Sequence, residues 1–333
     1  MWSIRNQTPY KVGRGWGRDK DGVHEWIVVV KGTFDIKPER AIALADEQLE
    51  PLLLPEYHGE PGVSSLRYDT DIVGSKPTTD VVINATAYAP NGRPTTSFVA
   101  EARVGAVHKA IRVIGNRTWS AGLLEEVSDP EPIVQIPIVY ERAYGGYDCI
   151  DPDPRNQRMD PRNPVGCGLV AQAGHRRGQA LPNFEYPEGS LEKAGPAGFG
   201  AIDSFWSPRR EFNGTYDQAW QENRLPLLPL DWDSRSLLCS PQDQQPDTQL
   251  RGGETVDLIN LTPEGRLRFT LPRVYFTFTT RIAGRTQEHR SRLSTVIIEP
   301  DYPRVIMVWQ TSLLCHADAD YLDETLVREK RYL

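Results

Sequence analysis

Residues 80–119 read DVVINATAYAPNGRPTTSFVAEARVGAVHKAIRVIGNRTW. Three strand-like runs follow one another here, VVINATAYAP, TTSFVAEARVG and KAIRVIGNRTW. In the last, Ile111, Val113 and Gly115 alternate with Arg112 and Ile114, the period of a strand with one buried face and one partly wet face. Asn91-Gly92 predicts a type I′ turn, because both residues tolerate positive φ.

The same signals extend in both directions. Asp21-Gly22, between YKVGRGW and HEWIVVVKGTFDI, predicts a hairpin. Trp26–Val30 is continuously apolar, as in a strand buried on both faces. In AIALADEQLEPLLLPEYHG, Pro51 and Pro55 argue for an extended element along the core. IVQIPIVYERAYGGYD is one more strand, which breaks into a loop-rich middle. From Gly252 strands return as TVDLINLT, RLRFTLP, RVYFTFTTRI, STVIIEP and RVIMVWQ. The tail ADADYLDETLVREKRYL fits a helix, with acids early and bases late, and VREKRYL equally fits an edge strand. The expected fold is mainly β: a large antiparallel, sandwich-like domain over 1–333. It comprises a β-rich part at 1–139, a Gly/Pro/aromatic-rich insertion at 140–250 with one or two short helices, and returning strands and a tail at 251–333.

Composition agrees. Gly and Pro number 27 each, and both are poor in helix interiors, so long helices are not expected. Asp and Glu total 45 against 38 Lys and Arg, a net charge of −7. That balance disfavours nucleic acid as a partner. The apolar runs are strand-sized, too short for helices that cross a membrane. No secretory leader is visible behind Met1, and Cys149, Cys167, Cys239 and Cys315 form no CxxC pair. Reduced thiols in a cytoplasmic protein are therefore expected.

The middle third is dense in aromatic residues, Gly, Pro, Arg and Asp, in motifs without a period. Loops this long are functional or disordered, and the large aromatics argue against disorder. One helix start stands out: Thr215 with Gln218 has capping-box spacing, for a helix through Trp220 to about Arg224, stopped by Leu225-Pro226.

Catalytic readings of the motifs are weak. Gly13-Arg-Gly-Trp-Gly17 lacks the following helix of a phosphate loop. Asp151-Pro-Asp153-Pro-Arg155-Asn156 has Arg and Asn where a calcium loop wants a ligand and Gly. Cys167 and His175 have no orienting third group at a recognisable spacing. His24, His58, His108, His289 and His316 are scattered, and no metal or cofactor is implied. Asp217, Asp231 and Asp233 lie among aromatics and are the best candidates for a carbohydrate- or peptidoglycan-active hydrolase; each also reads as a cap or turn former. Arg142, Tyr144, Tyr147, Trp206, Arg210, Tyr216, Asp217, Trp220 and Trp232 have the composition of a protein-binding hot spot. They have equally the composition of cation–π and ion-pair braces within a loop.

The motifs Tyr140-Glu-Arg-Ala-Tyr-Gly-Gly-Tyr-Asp148, Asn163-Pro-Val-Gly-Cys-Gly168, Gly198-Phe-Gly200, Gly214-Thr-Tyr-Asp217, Leu228-Pro-Leu-Asp231 and Pro241-Gln-Asp-Gln-Gln245 resemble those of bacterial domain-of-unknown-function family 2169. Lys76-Pro-Thr-Thr-Asp80, Ala89-Pro-Asn-Gly92, Val104–Lys109, Gly252-Gly-Glu254 and Asn260-Leu-Thr262 also match, in order, over about residues 3 to 310. The resemblance implies a cytoplasmic accessory protein encoded beside type VI secretion spike genes. Such an adaptor or chaperone would bind a toxic effector, or a spike-tip protein of the VgrG/PAAR type, and help load it on the spike. It implies no catalytic residue, and it does not say which motif residues touch the partner.

Overall fold

The computed structural model describes residues 2–37, 41–120, 127–315 and 319–330. His316 and the last three residues of the tail motif lie outside them. The fold is mainly β, as the alternation predicts, with short helices at Leu191–Ala194 and Gln218–Asn223.

The central layer is a six-stranded sheet. Lys11–Arg18, His24–Ile36, Arg304–Leu314 and Arg292–Glu299 follow one another antiparallel, Asp80–Ile83 joins the last of them in parallel, and Ile42–Leu44 pairs with the end of His24–Ile36. A five-stranded antiparallel sheet runs Phe184–Glu185, Val107–Ile114, Ser97–Val104, Thr255–Ile259, Arg266–Thr270. A four-stranded sheet runs Ser3–Asn6, Leu322–Glu329, Phe276–Ile282, Arg285–Arg290.

These three sheets share one core. Trp26, Val28 and Val30 pack with Ile298 and Met307 of the central sheet, Ile111 and Leu258 of the five-stranded sheet, and Phe278 and Val327 of the four-stranded sheet. The odd positions Ile27 and Val29 point the other way, onto Val308 and Ile72. Trp26–Val30 is thus buried on both faces, which is why it lacks the polar alternation of a half-wet strand. The second face of the central sheet is covered by a small ribbon and by the middle third. Leu66 and Tyr68, on the short strand Leu66–Tyr68 that pairs with Glu56–Tyr57, and Ala201 and Cys239 from the middle third pack on Val82, Ile297 and Ile306.

Local expectations were met unevenly. The loop at Asp21-Gly22 closes a hairpin between Lys11–Arg18 and His24–Ile36, with Gly22 at φ 86°. Asn91 and Gly92 both take positive φ, 58° and 63°, as a type I′ turn requires. The strands flanking that turn do not pair with each other, however. Thr86–Tyr88 pairs instead with Gln135–Pro137. The helical reading of the tail is overturned: Leu322–Glu329 is a strand. It lies between two neighbours rather than at an edge, and its inward residues Leu322, Thr325 and Val327 are buried. Burial of these residues between two strands outweighs the favourable charge order of a helix.

Candidate interaction surface

The middle third is not merely draped over the sheets. Phe184 and Phe199 are fully buried in the shared core, and Phe184–Glu185 adds an edge to the five-stranded sheet. A loop buried this way carries backbone groups that water cannot reach, so each needs a partner within the protein. The motif residues supply those partners.

Tyr140–Arg142 forms a single helical turn, followed by the short strand Tyr144–Gly145, which pairs with Cys167–Gly168. Gly145 and Gly146 lie at φ 143° and 104°, and a Cβ on either would come within 2.5 Å of the carbonyl of Asn163 or Gly166. The close approach of these two chains therefore requires both glycines. Asn163, fully buried, donates from Nδ2 to the carbonyls of Tyr140 at 2.7 Å and Tyr144 at 3.0 Å. Asn183 ties the next segment to the scaffold: its Nδ2 donates to the carbonyl of Ile114 at 2.9 Å, and its N–H donates to that of Arg142 at 2.8 Å.

Charged groups stitch the far end. Asp80, on the central sheet, receives the Lys76 ammonium at 2.7 Å on one oxygen. Its other oxygen accepts the N–H groups of Cys239 and Ser240 at 3.0 and 2.7 Å, and the Ser240 hydroxyl at 2.7 Å. Burial pushes this carboxyl upward, but Lys76 and the Ser240 donors outweigh it and hold it below the usual carboxylate range. Arg209 spends three donors inside: to the carbonyls of Ser236 and Ile202, and to Asp69 at 2.6 Å. Gln244 donates to the carbonyls of Val81 and Phe199 at 2.8 and 2.9 Å.

The nine residues singled out from the sequence divide into three sets. Tyr144 and Trp206 are buried, and Trp206 meets the Tyr140 ring edge-on at 5.8 Å. Half-buried Arg142 reaches Asn183. These three brace the loop. Tyr147, hydrogen-bonded to Gln157, and Arg210 lie on the surface. Tyr216, Asp217 and Trp220 belong to one further element, and Trp232 follows it directly in the chain.

That element is a compact Ω-like loop closed by Thr215 and Asp231. The Thr215 N–H and hydroxyl donate to the two Asp231 oxygens at 3.0 and 2.7 Å. Asp217 caps the enclosed helix through the Trp220 N–H at 2.8 Å. The cap is thus Asp217, not Thr215, whose hydroxyl serves the loop closure instead. The Trp220 indole donates to the Leu227 carbonyl at 2.9 Å and meets the Tyr216 ring at 4.7 Å. Arg224 donates to the Leu228 carbonyl and, across 203 residues, to Asp21 at the tip of the first hairpin. On this fixed frame Tyr216, Leu225 and Leu230 stand 52, 60 and 76 % exposed.

The three aspartates considered for hydrolysis occupy separate turns. Asp217 caps the helix, Asp231 closes the loop, and Asp233 caps Ser234–Leu237 and chelates Arg235. The lowered range of Asp231 and Asp233 has local causes, the Thr215 donors for one and Arg235 for the other. His175 faces Asp148 at 3.3 Å, and burial pushes the Cys167 thiol up to about 11, away from nucleophilic use. Asp151 and Asp153 hold a surface turn with Asn156, Gln172 and Arg155. Among the described residues no three His, Cys, Asp or Glu side chains gather at metal-binding distance, and no helix is long and apolar enough to cross a membrane.

Sequence reasoning passed over Asn163, Gln244 and Asp80 as individuals, although each sits in a quoted motif, and it passed over Asn183, which lies between motifs. A polar residue between Gly and Pro reads as a turn former, and only its burial marks it as a brace. No curated protein and no solved structure matches this chain. A family model does, over residues 21–310. That span takes in most of the scaffold, the glycine-dependent turn and every stitch described above, with Ser3–Asn6, Lys11–Arg18 and Leu322–Glu329 outside it, and it places the chain in the bacterial family described as "Uncharacterized protein conserved in bacteria (DUF2169)".

Proposed function

We propose that this protein is a type VI secretion accessory protein. In this reading it is an adaptor or chaperone that binds a toxic effector or a spike-tip protein in the bacterial cytoplasm and helps load it on the spike. The secretion setting rests on the resemblance of the ordered motifs. The observation that carries a binding role is the braced loop from Thr215 to Asp231. Its polar groups are spent on its own closure and capping, while Tyr216, Leu225 and Leu230 are held outward. Large side chains fixed before binding lose little conformational entropy on contact, which is the economy of a recognition surface.

The test is co-expression with the effector and spike proteins encoded beside the gene, followed by size-exclusion chromatography. A co-eluting complex is expected with the native protein. It is expected to be lost with Tyr216→Ala combined with Leu230→Ser, a pair of surface changes that should move stability by no more than about 0.5 kcal/mol each. Separate elution of every neighbour at micromolar concentration overturns the adaptor reading. A complex indifferent to the double variant moves the interface elsewhere.

A further inference from the structure

A second feature lies almost wholly outside the insertion. Where the three sheets meet, a cleft of about 720 Å³ opens between the loop at 248–254, the start of Phe276–Ile282, and the crossing from Arg285–Arg290 to Arg292–Glu299. Its volume is that of a ligand site rather than a packing gap. The floor is apolar, with Phe276 and Trp309 buried and meeting edge-on at 5.1 Å. Among the described residues, the sides carry Arg251, Arg290, Arg292 and Lys330 against a single carboxylate, Glu254.

Two details point to an occupant. First, among the described residues none of Arg251, Arg290 and Arg292 makes an ion pair, whereas Arg155, Arg162, Arg235 and Arg266 each chelate a nearby aspartate. In a chain of net charge −7, this is a local positive field over an aromatic floor. Second, one Glu254 oxygen accepts the Arg251 N–H at 2.8 Å, while the other is buried without a hydrogen-bond partner. A buried acceptor left unpaired is unfavourable, and Glu254 lines the cleft that a ligand's donor would enter.

We infer that this cleft binds an acidic peptide segment of a partner protein. Its carboxylates would pair with Arg251, Arg290 and Arg292, an apolar side chain would rest on Trp309 and Phe276, and a backbone N–H would donate to Glu254. An acidic peptide supplies all three groups together. Inorganic phosphate supplies only the charge, and nucleic acid would meet the repulsion of the protein's overall negative field. The assignment is independent of the secretion role, since a peptide can bind here whether or not spike proteins co-elute.

The test is fluorescence anisotropy with a labelled peptide of sequence ELDFEL, beside QLNFQL as its neutral counterpart. The acidic peptide is expected to bind in the micromolar range, to weaken with added salt, and to bind at least about tenfold tighter than the neutral one. The triple variant Arg251→Gln, Arg290→Gln, Arg292→Gln should lose at least about tenfold in affinity while its unfolding temperature is unchanged. If the triple variant does not fold, the single change Arg292→Gln is expected to give a weaker loss in the same direction. Four results overturn the site: no binding of the acidic peptide, equal binding of the neutral one, unchanged binding in the folded variants, or equal displacement by phosphate or oligothymidylate.

Discussion

The sheet scaffold and the middle third are both well ordered, yet different forces hold them. In the scaffold, order comes from apolar burial repeated every second residue, as along Val256–Leu258 and Val296–Ile298. In the middle third it comes from single polar side chains, each satisfying two or three backbone groups, as Asn163, Arg209 and Gln244 do. Apolar burial is shared among many neighbours and tolerates volume-conserving swaps. A hydrogen-bonded brace is neither, because losing it leaves several buried carbonyls without donors. A long aperiodic loop can thus be as fixed as a sheet, at the cost of depending on a few residues.

The largest expected effect falls where the two regions are joined. Asp80→Ala removes the acceptor for Cys239 and Ser240 and leaves the Lys76 ammonium buried without its partner. A loss of about 3–5 kcal/mol is expected in denaturant unfolding. A loss below about 1 kcal/mol would mean that the middle third is not tied to the sheet through this pair. Within the scaffold alone, Ile298→Ala should cost about 2–5 kcal/mol. Tryptophan fluorescence and circular dichroism should then shift together, as one core predicts. Separate transitions would break the picture of three sheets around a shared interior.

Acid should separate the two regions. His289, on the four-stranded sheet, is held neutral between the Thr280 and Thr311 hydroxyls at 2.8 and 2.7 Å, and burial lowers it to about 4. Its unfolded value is about 6.5. The unfolded chain therefore binds a proton first, and stability falls as pH drops from about 6.5 to about 4. After discounting for partial exposure, the loss is about 1–3 kcal/mol. Asp80 is depressed instead, so its contribution is complete above the usual carboxylate range and is lost only as pH falls further. His289→Gln should flatten the upper window and leave the lower one. A slope unchanged by the substitution would remove His289 from this account.

The last effect is similar in size and local. Asn163→Ala strands the carbonyls of Tyr140 and Tyr144, for an expected loss of about 1–3 kcal/mol. Hydrogen exchange should quicken around 140–170 while Val305–Trp309 stays protected. Equal acceleration in both places would show that scaffold and loop unfold as one unit, and the contrast between them would then be one of composition only.

Much of the scaffold was legible because its signals are local. Trp26–Val30, the Asp21-Gly22 hairpin and the alternation at 107–114 each depend on neighbours a few residues away. The tail misled because its charge order suits a helix, while its alternating Leu322, Thr325 and Val327 found a sheet to enter. The cap misled because Thr215 and Asp217 are both good cap formers, and the distant Asp231 claimed Thr215. In the candidate surface, the list of aromatic and arginine residues mixed braces with exposed side chains. It could not separate Trp206, buried on Tyr140, from Tyr216, standing in solvent, because the two share a composition and differ only in what lies across from them.

The sequence by itself determined the β class, the strand buried on both faces, the turns at Asp21-Gly22 and Asn91-Gly92, and the ordered motifs that carry the family. Each of these follows from residue type and short-range spacing. Only the tertiary structure decided the order of strands in the three sheets, the division of motif residues into braces and exposed side chains, and the cationic cleft. The physical reason is separation along the chain. Asp80 meets Ser240 across 160 residues and Arg209 meets Asp69 across 140. A polar residue becomes a brace only when the fold closes water out around it and brings it an orphaned backbone group to satisfy.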